Sequence, residues 1–355
     1  MFQIILRMTQ NQLDLFFKYL KKDNILAGPQ REGTVLNFKE IENIDDIELT
    51  NEIPLHSFKP FLLPVKEELS ELNKKLSLKM ALVGLTTVDL RALTILNHIF
   101  EKDPFYQNKI KNTLIIGYGE FPCEYKGIFA TQYEENILEH IQFDIFIVKG
   151  TNNGTTRNGG DYKIFTGSED GQKALDKFGY EKYENIQYSG PIMEEGTDKL
   201  MGNVKEAMGN LSPESKIFQD LGKRCIECGR CSIICPLCFC FCLKDEQDIS
   251  DKQGLNTRSS KINRRIKEKK VEASLCRMRT STTCFYGEFS EIAGGHKFLK
   301  NPSERIFNWY EHKFARFPSE ISMIGCVGCG RCAKVCPAGI NIREALGEIL
   351  KIKNN

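Results

Sequence analysis

The sequence predicts an α+β protein. An N-terminal α/β domain spans residues 1–200, and an α-helical domain spans residues 201–355 with a long insertion at 237–325. Three observations carry this. Short β-branched runs alternate with helical periodicity in the first 200 residues, the pattern of an α/β layer. Thirteen of the fourteen cysteines lie from Cys225 onward, and only Cys123 precedes them. A twelve-residue run, Cys225-x2-Cys228-x2-Cys231-x3-Cys235-Pro236, recurs as Cys326-x2-Cys329-x2-Cys332-x3-Cys336-Pro337, offset by 101 residues at every cysteine. A chain of 355 residues suits roughly two or three domains of about 100–200 residues each.

The elements follow in order. The opening MFQIILRMTQNQLDLFFKYLKK reads as an amphipathic helix entering a domain. Asn, Gln and Asp interrupt its apolar residues and no small-residue cleavage site follows, so a signal peptide is not expected. Met80–Leu85, Thr113–Ile116 and Asp144–Val148 are short apolar runs that suit strands buried on both faces. Between the first two, Leu90, Leu93, Leu96 and Phe100 recur at helical spacing over Val88–Phe100. Asp89 falls near that helix start, where an acid complements the dipole. Tyr133–Ile141 and Gly171–Phe178 read as short helices, and Thr151–Gly160 as an exposed loop. Thr197–Ala207 and Pro213–Leu221 read as helices leading into Cys225, the second with Ser212 as cap and Pro213 in its first turn. The domain boundary is therefore placed near residue 200. At the end, Asn341–Lys353 is amphipathic, with Ile342, Leu346, Ile349 and Leu350 on the side that packs against the cysteine-rich domain.

Composition excludes several classes. Lys+Arg of 49 against Asp+Glu of 47 gives no bulk field for nucleic acid or an anionic membrane. No run reaches the roughly 18 apolar residues of a transmembrane helix, so a soluble, cytoplasmic protein is expected. Fourteen cysteines would suit a disulfide scaffold only in a short secreted chain. Gly117-Tyr118-Gly119 lacks the third glycine of a dinucleotide fingerprint. Nothing reads as a phosphate loop or a nucleophile–base pair, and no catalytic residue is assigned. The basic stretch Lys252–Arg279, ten Lys/Arg against Glu268 and Glu272, reads as a solvated face.

The two cysteine runs follow the bacterial ferredoxin pattern, in which three thiolates hold one [4Fe–4S] cube and the fourth reaches across to its neighbour. The reading is a dicluster ferredoxin-like domain. Cys225, Cys228 and Cys231 bind the first cluster with Cys336. Cys326, Cys329 and Cys332 bind the second with Cys235. Two zinc sites would call for CxxC pairs at wider separation. Gly229 and Gly330 follow the second cysteine of each run, with Gly325 and Gly328 flanking the later run, so backbone N–H groups are able to approach sulfur. Such hydrogen bonds favour the reduced cluster. Pro236 and Pro337 stop each run from continuing as a helix, and Arg230 and Arg331 place a cation near each cubane. Cys238, Cys240 and Cys242 follow at i, i+2, i+4, with Cys276 and Cys284 further into the insertion. This density of soft ligands predicts a third [4Fe–4S] cluster on Cys238, Cys240 and Cys284, completed by Cys242, Cys276 or Asp245. The competing reading makes some of them buried apolar thiols. His296, His312 and Cys123 read as structural.

CIECGRCSIICPLCFCF, Cys284 ahead of FSEIAGGHKF and NPSERIFNWYEHKF, and GCVGCGRCAKVCP together resemble one group of proteins. These are the iron–sulfur subunit of anaerobic sulfite reductase and the β (iron–sulfur) subunit of cytoplasmic [NiFe] sulfhydrogenases. PLHSFKPFLLP and VDLRAL extend the resemblance upstream. It implies an electron-transfer subunit of a multi-subunit oxidoreductase, linking a flavin/NAD(P)-binding subunit to a catalytic subunit. Relatives carry cysteines in the N-terminal domain where this chain reads Thr86-Thr87-Val88-Asp89 and Gly117-Tyr118-Gly119-Glu120, so no N-terminal cluster is expected here. Two other functions compete with the relay: a cluster that itself reduces a small substrate such as a disulfide, and a non-enzymatic iron–sulfur sensor or scaffold.

Overall fold

The structure is a computed structural model and describes residues 7–69, 79–120, 137–150, 162–191, 199–247 and 275–353. Cys123, the loop expected at Thr151–Gly160 and most of the basic stretch lie outside the described residues.

Helix α1 (Gln10–Lys21) starts at a capping box between Thr9 and Gln12 and buries Leu13, Phe16, Phe17 and Leu20. The chain then builds β1 (Ile25–Glu32), β2 (Val35–Glu40), the single turn α2 (Lys59–Leu62) and β3 (Lys66–Glu68). Next come β4 (Met80–Leu85), α3 (Thr87–Ile99), α4 (Pro104–Lys111), β5 (Thr113–Glu120) and β6 (Ile145–Lys149). The N-terminal half closes with β7 (Tyr162–Thr166), α5 (Glu169–Phe178) and β8 (Glu184–Asn185). Seven strands form one sheet in the order β2-β1-β4-β5-β6-β7-β8. Its centre, β1-β4-β5-β6, is parallel, and β2 and β7 flank it antiparallel. Leu82, Ile116, Ile145, Phe146 and Ile147 are buried, as continuous apolar runs require in a sheet covered on both faces.

The C-terminal half holds α6 (Lys199–Gly209), α7 (Lys216–Arg224), α8 (Arg230–Ile234), β9 (Phe241–Gln247) and β10 (Leu275–Ser281). It continues through α9 (Pro302–Glu311), a π turn at His312–Arg316, α10 (Phe317–Ile321), α11 (Arg331–Val335) and α12 (Ile342–Lys353). Mixed helices and sheets bear out the α+β class. Two details differ from the sequence reading. Helix α7 begins after Ser215, because residues 212–215 close a turn in which Ser215 N–H donates to the Ser212 carbonyl and Pro213 precedes the helix. The C-terminal domain, expected to be α-helical, also holds strands within its insertion: β9 and β10 pair antiparallel, and β10 takes β3 of the N-terminal half as its other neighbour. Arg279 of β10 carries much of that junction, pairing with Glu67 and, at 2.5 Å, with Asp103.

Two buried cores meet at the cysteines. One joins Leu82, Leu93, Phe100 and Phe146 of the first half to Cys235, Leu237, Phe317, Met323, Val327 and Cys329 of the second. The other gathers Phe218, Cys284, Phe285, Trp309, Tyr310, Phe314, Leu346 and Ile349, with Cys225, Cys231, Cys326 and Cys332 packed against it.

Candidate metal centre

Both cysteine runs fold alike because glycine stands where the chain must turn. After the second cysteine, Gly229 (φ 69°) and Gly330 (φ 73°) take the left-handed conformation, which costs an L-residue about 1–2 kcal/mol. A Cβ on Gly229 would also lie 2.6 Å from Thr283 Cγ2. Each glycine opens a short helix, α8 or α11, that carries the third cysteine and ends at the fourth in extended conformation. The proline then holds the chain out of the helix. Glu227 and Gly328 hold matching places at φ 56° and 64°. Their N–H groups donate to the first sulfur of their runs, Cys225 and Cys326, at 3.4 Å in each case. Ile340 N–H donates to Cys336 Sγ, also at 3.4 Å. The amide-to-sulfur approach read from the glycines is present, although Glu227 supplies it in one loop without being glycine.

The fold brings the two runs together. Cys225, Cys228, Cys231, Cys332 and Cys336 line one cavity, with Phe285, Ile306, Trp309 and Tyr310 as apolar wall. Cys235 lies in the electrostatic field of Cys329, and Cys332 in that of Cys326 and Cys329. Lys313 ties these together: its Nζ is 3.4 Å from Cys235 Sγ and is influenced by Cys326. The first loop lies near the surface, with Ile226 66% exposed, whereas Val327 and Cys329 of the second are buried. Cys238 and Cys240 line a groove of about 430 Å³, and Cys284 is influenced by both.

Burial pushes these thiols up: Cys225, Cys231 and Cys332 by direction, Cys326 to about 11 and Cys284 to about 12. Free thiols there stay protonated, and a bound cationic centre is what would hold them as thiolates. Among the described residues no three His, Cys, Asp or Glu side chains converge closely enough for a single ion, the arrangement tetrahedral zinc requires. The donor set is all sulfur, the chemistry of iron–sulfur clusters rather than of hard cations.

Cations lie beside the sulfurs, among them Lys313 and Arg331, which are buried, and Lys59, which is half-buried. Lys59 Nζ donates to the carbonyls of Ile233, Cys235 and Cys238 at 2.9, 2.8 and 2.9 Å. Burial pulls Lys59 down from the ordinary lysine value. Burial opposes Lys313 as well, but Cys235 and Cys238 hold it well above its ordinary value. Arg331 is fully buried and pairs with Asp89, while Arg230 is exposed. The expected symmetry of cations at the two loops is therefore absent. Sequence reasoning missed Lys59 and Lys313; the one signal was a lysine set among aromatics, as in Glu311-His312-Lys313-Phe314.

The candidates for completing the third set separate. Asp245 is exposed and held by Arg277 at 2.8 and 3.0 Å. Cys276 pairs with Glu246, four residues along β9 from the Cys242–Thr280 pair, about 13 Å at ~3.3 Å per residue. Cys242 contacts the Thr280 carbonyl at 3.6 Å and stands two residues from Cys240. His312 is partly buried against Phe317 at 5.0 Å, and burial lowers it. His296 is exposed, 5.1 Å from Phe298.

A family model described as a 4Fe-4S dicluster domain matches residues 261–340, which include Cys276, Cys284 and the second run, and indicates [4Fe–4S] clusters. No solved structure matches the chain. No helix among the described residues is long and apolar enough to cross a membrane. The chain is 26% identical over 349 residues to sulfhydrogenase 2 subunit beta of Pyrococcus furiosus, covering 94% of this chain and 95% of that one. The resemblance read from the cysteine strings thus extends nearly end to end: the chain is similar to the β subunit of a sulfhydrogenase and carries a C-terminal 4Fe-4S dicluster domain.

Proposed function

We propose that this chain is the electron-transfer subunit of a cytoplasmic multi-subunit oxidoreductase, a relay that links a flavin/NAD(P)-binding subunit to a catalytic subunit of the hydrogenase or sulfite-reductase kind. Cys225, Cys228, Cys231 and Cys336 would hold one [4Fe–4S] cluster. Cys326, Cys329, Cys332 and Cys235 would hold a second, and Cys238, Cys240 and Cys284 a third. Bound there, the clusters supply single-electron transfer. The chain's own residues hold the thiolates, exclude water through the aromatic wall and offset charge with Lys313 and Lys59. The single observation that carries this reading is the cavity in which Cys225, Cys228 and Cys231 of one run meet Cys332 and Cys336 of the other, a repeat offset by 101 residues. We keep the division near residue 200 as the working domain boundary.

A second reading, reduction of a small substrate such as a disulfide at the third centre, is favoured by the groove that Cys238 and Cys240 line. The test is anaerobic isolation with copurifying subunits, iron and flavin quantified. A relay gives bound flavin- or nickel-bearing partners and no turnover by the isolated chain with an artificial reductant. Turnover by the isolated chain supports the second reading instead.

A further inference from the structure

Helix α9 and the π turn after it pass all three cysteine sets, and among their buried side chains Tyr310 and Lys313 are polar where apolar ones would pack as well. Tyr310 is 1% exposed, and its hydroxyl has no hydrogen-bond partner among the described residues. It lines the cavity of Cys225, Cys228, Cys231, Cys332 and Cys336. Electrostatically it lies within reach of Cys332, Cys231, Cys326 and Cys336, so it stands where the two runs meet. A buried hydroxyl without an acceptor is destabilising, and phenylalanine would fill the same space without that cost. The acceptor that this site offers is sulfur.

Three residues on, Lys313 is 3% exposed. Its Nζ reaches Cys235 Sγ at 3.4 Å and the Gly325 carbonyl at 2.8 Å, and it lies 5.4 Å from the Trp309 ring. An ammonium so buried needs negative charge beside it. Sulfur supplies it here, with Cys235 Sγ at 3.4 Å. Lys313 sits within the π turn His312–Arg316, a feature frequent at functional sites.

Resting on the cluster reading above, we propose that Tyr310 and Lys313 bias the two reduction potentials unequally. Tyr310 donates its hydroxyl hydrogen bond to sulfur of the first cluster. Lys313 brings its charge to the Cys235 corner of the second. Both are positioning residues that stabilise the reduced state, since donors and positive charge near sulfur favour the more negative form. One helix would thereby fix the difference that gives electron flow a direction.

The test uses the full chain, reconstituted anaerobically, with iron counted and each EPR signal titrated against potential. Signals are assigned by Cys228→Ser for the first cluster and Cys329→Ser for the second. Tyr310→Phe should keep the iron content and move the first midpoint to more negative potential by more than the second. Lys313→Met should lower the second by more than the first. Full iron with unmoved midpoints in Tyr310→Phe, or equal shifts of both signals, overturns the proposal. Tyr310→Phe decides the matter by itself if Lys313→Met does not load iron. A wild-type chain that takes up no iron defeats the cluster reading instead, so the two failures are distinguishable.

Discussion

Arg331 and Asp89 stand 242 residues apart and form a buried two-pronged ion pair, Nη1 to Oδ1 at 2.7 Å and Nη2 to Oδ2 at 2.9 Å. Arg331 Nε also donates to the Pro54 carbonyl at 2.7 Å. Asp89 lies in the first turn of α3, whose cap is the Thr86 hydroxyl, and Arg331 opens the helix of the second cysteine run. The cysteine loop is therefore fastened to the sheet domain through charge. Removing one partner leaves the other buried and unpaired, which costs about 3–5 kcal/mol. Asp89→Asn and Arg331→Met are each expected to lose that much stability in denaturant unfolding. The double variant is expected to lose clearly less than their sum, the mark of coupling in a double-mutant cycle.

The crossed ligand assignment makes a sharper prediction. Cys336→Ser should erase the same EPR signal as Cys228→Ser, although it lies in the other run. Cys235→Ser should erase the same signal as Cys329→Ser. If each run served a single cluster, Cys336→Ser would pair with Cys329→Ser, and the shared cavity would have been misread.

Glu227 tests which of two effects wins. It holds φ 56° where the other run has Gly328, at a cost of about 1–2 kcal/mol that glycine avoids. Its carboxylate also pairs with the buried Arg305, whose Nη2 donates to the Leu299 carbonyl at 2.9 Å. Loss of a partner by a buried arginine costs more than the backbone strain, even discounted for the partial exposure of Glu227. Glu227→Gly should therefore destabilise by about 1–2 kcal/mol net. Glu227→Gln, with the same backbone cost and a weaker hydrogen bond, should lose less. Thermal unfolding of the two variants side by side gives the comparison.

Much of this was legible in sequence, and the part that was not has a physical reason. β4, β5 and β6 announce themselves as apolar runs because both their faces are covered, and α3 shows its period. The cysteine loops are legible because ligand spacing, glycine and proline are all local constraints. β9 and β10 were missed: their partners lie across the chain, and Phe241–Gln247 alternates only weakly between apolar and polar residues. Their cross-strand Asp245–Arg277 pair was the available hint. Asp89–Arg331 left no local trace, since an acid in a first helical turn satisfies the dipole whether or not it pairs. Lys59, seen alone in sequence, shows nothing of the three carbonyls it joins.

That lysine yields a further expectation. Lys59→Met keeps the stem but leaves the part-buried carbonyls of Cys235 and Cys238 without their donor, at about 1–3 kcal/mol for a buried unsatisfied group. Stability should fall by about that amount. Iron loss should fall on the sets that use Cys235 and Cys238 while the Cys228 signal persists. Uniform loss of every signal would show that Lys59 supports the whole fold rather than this corner.

The most direct measurement is the metal and sulfide content of the anaerobically prepared chain, read together with its reduced EPR spectrum. Two four-iron clusters require about eight iron and about eight sulfide per chain, and a third brings each to about twelve. Iron and sulfide in equal amounts at one of those levels, with interacting spectra on reduction, is the predicted result. Stoichiometric zinc without sulfide, or cysteines joined in disulfides, would contradict it.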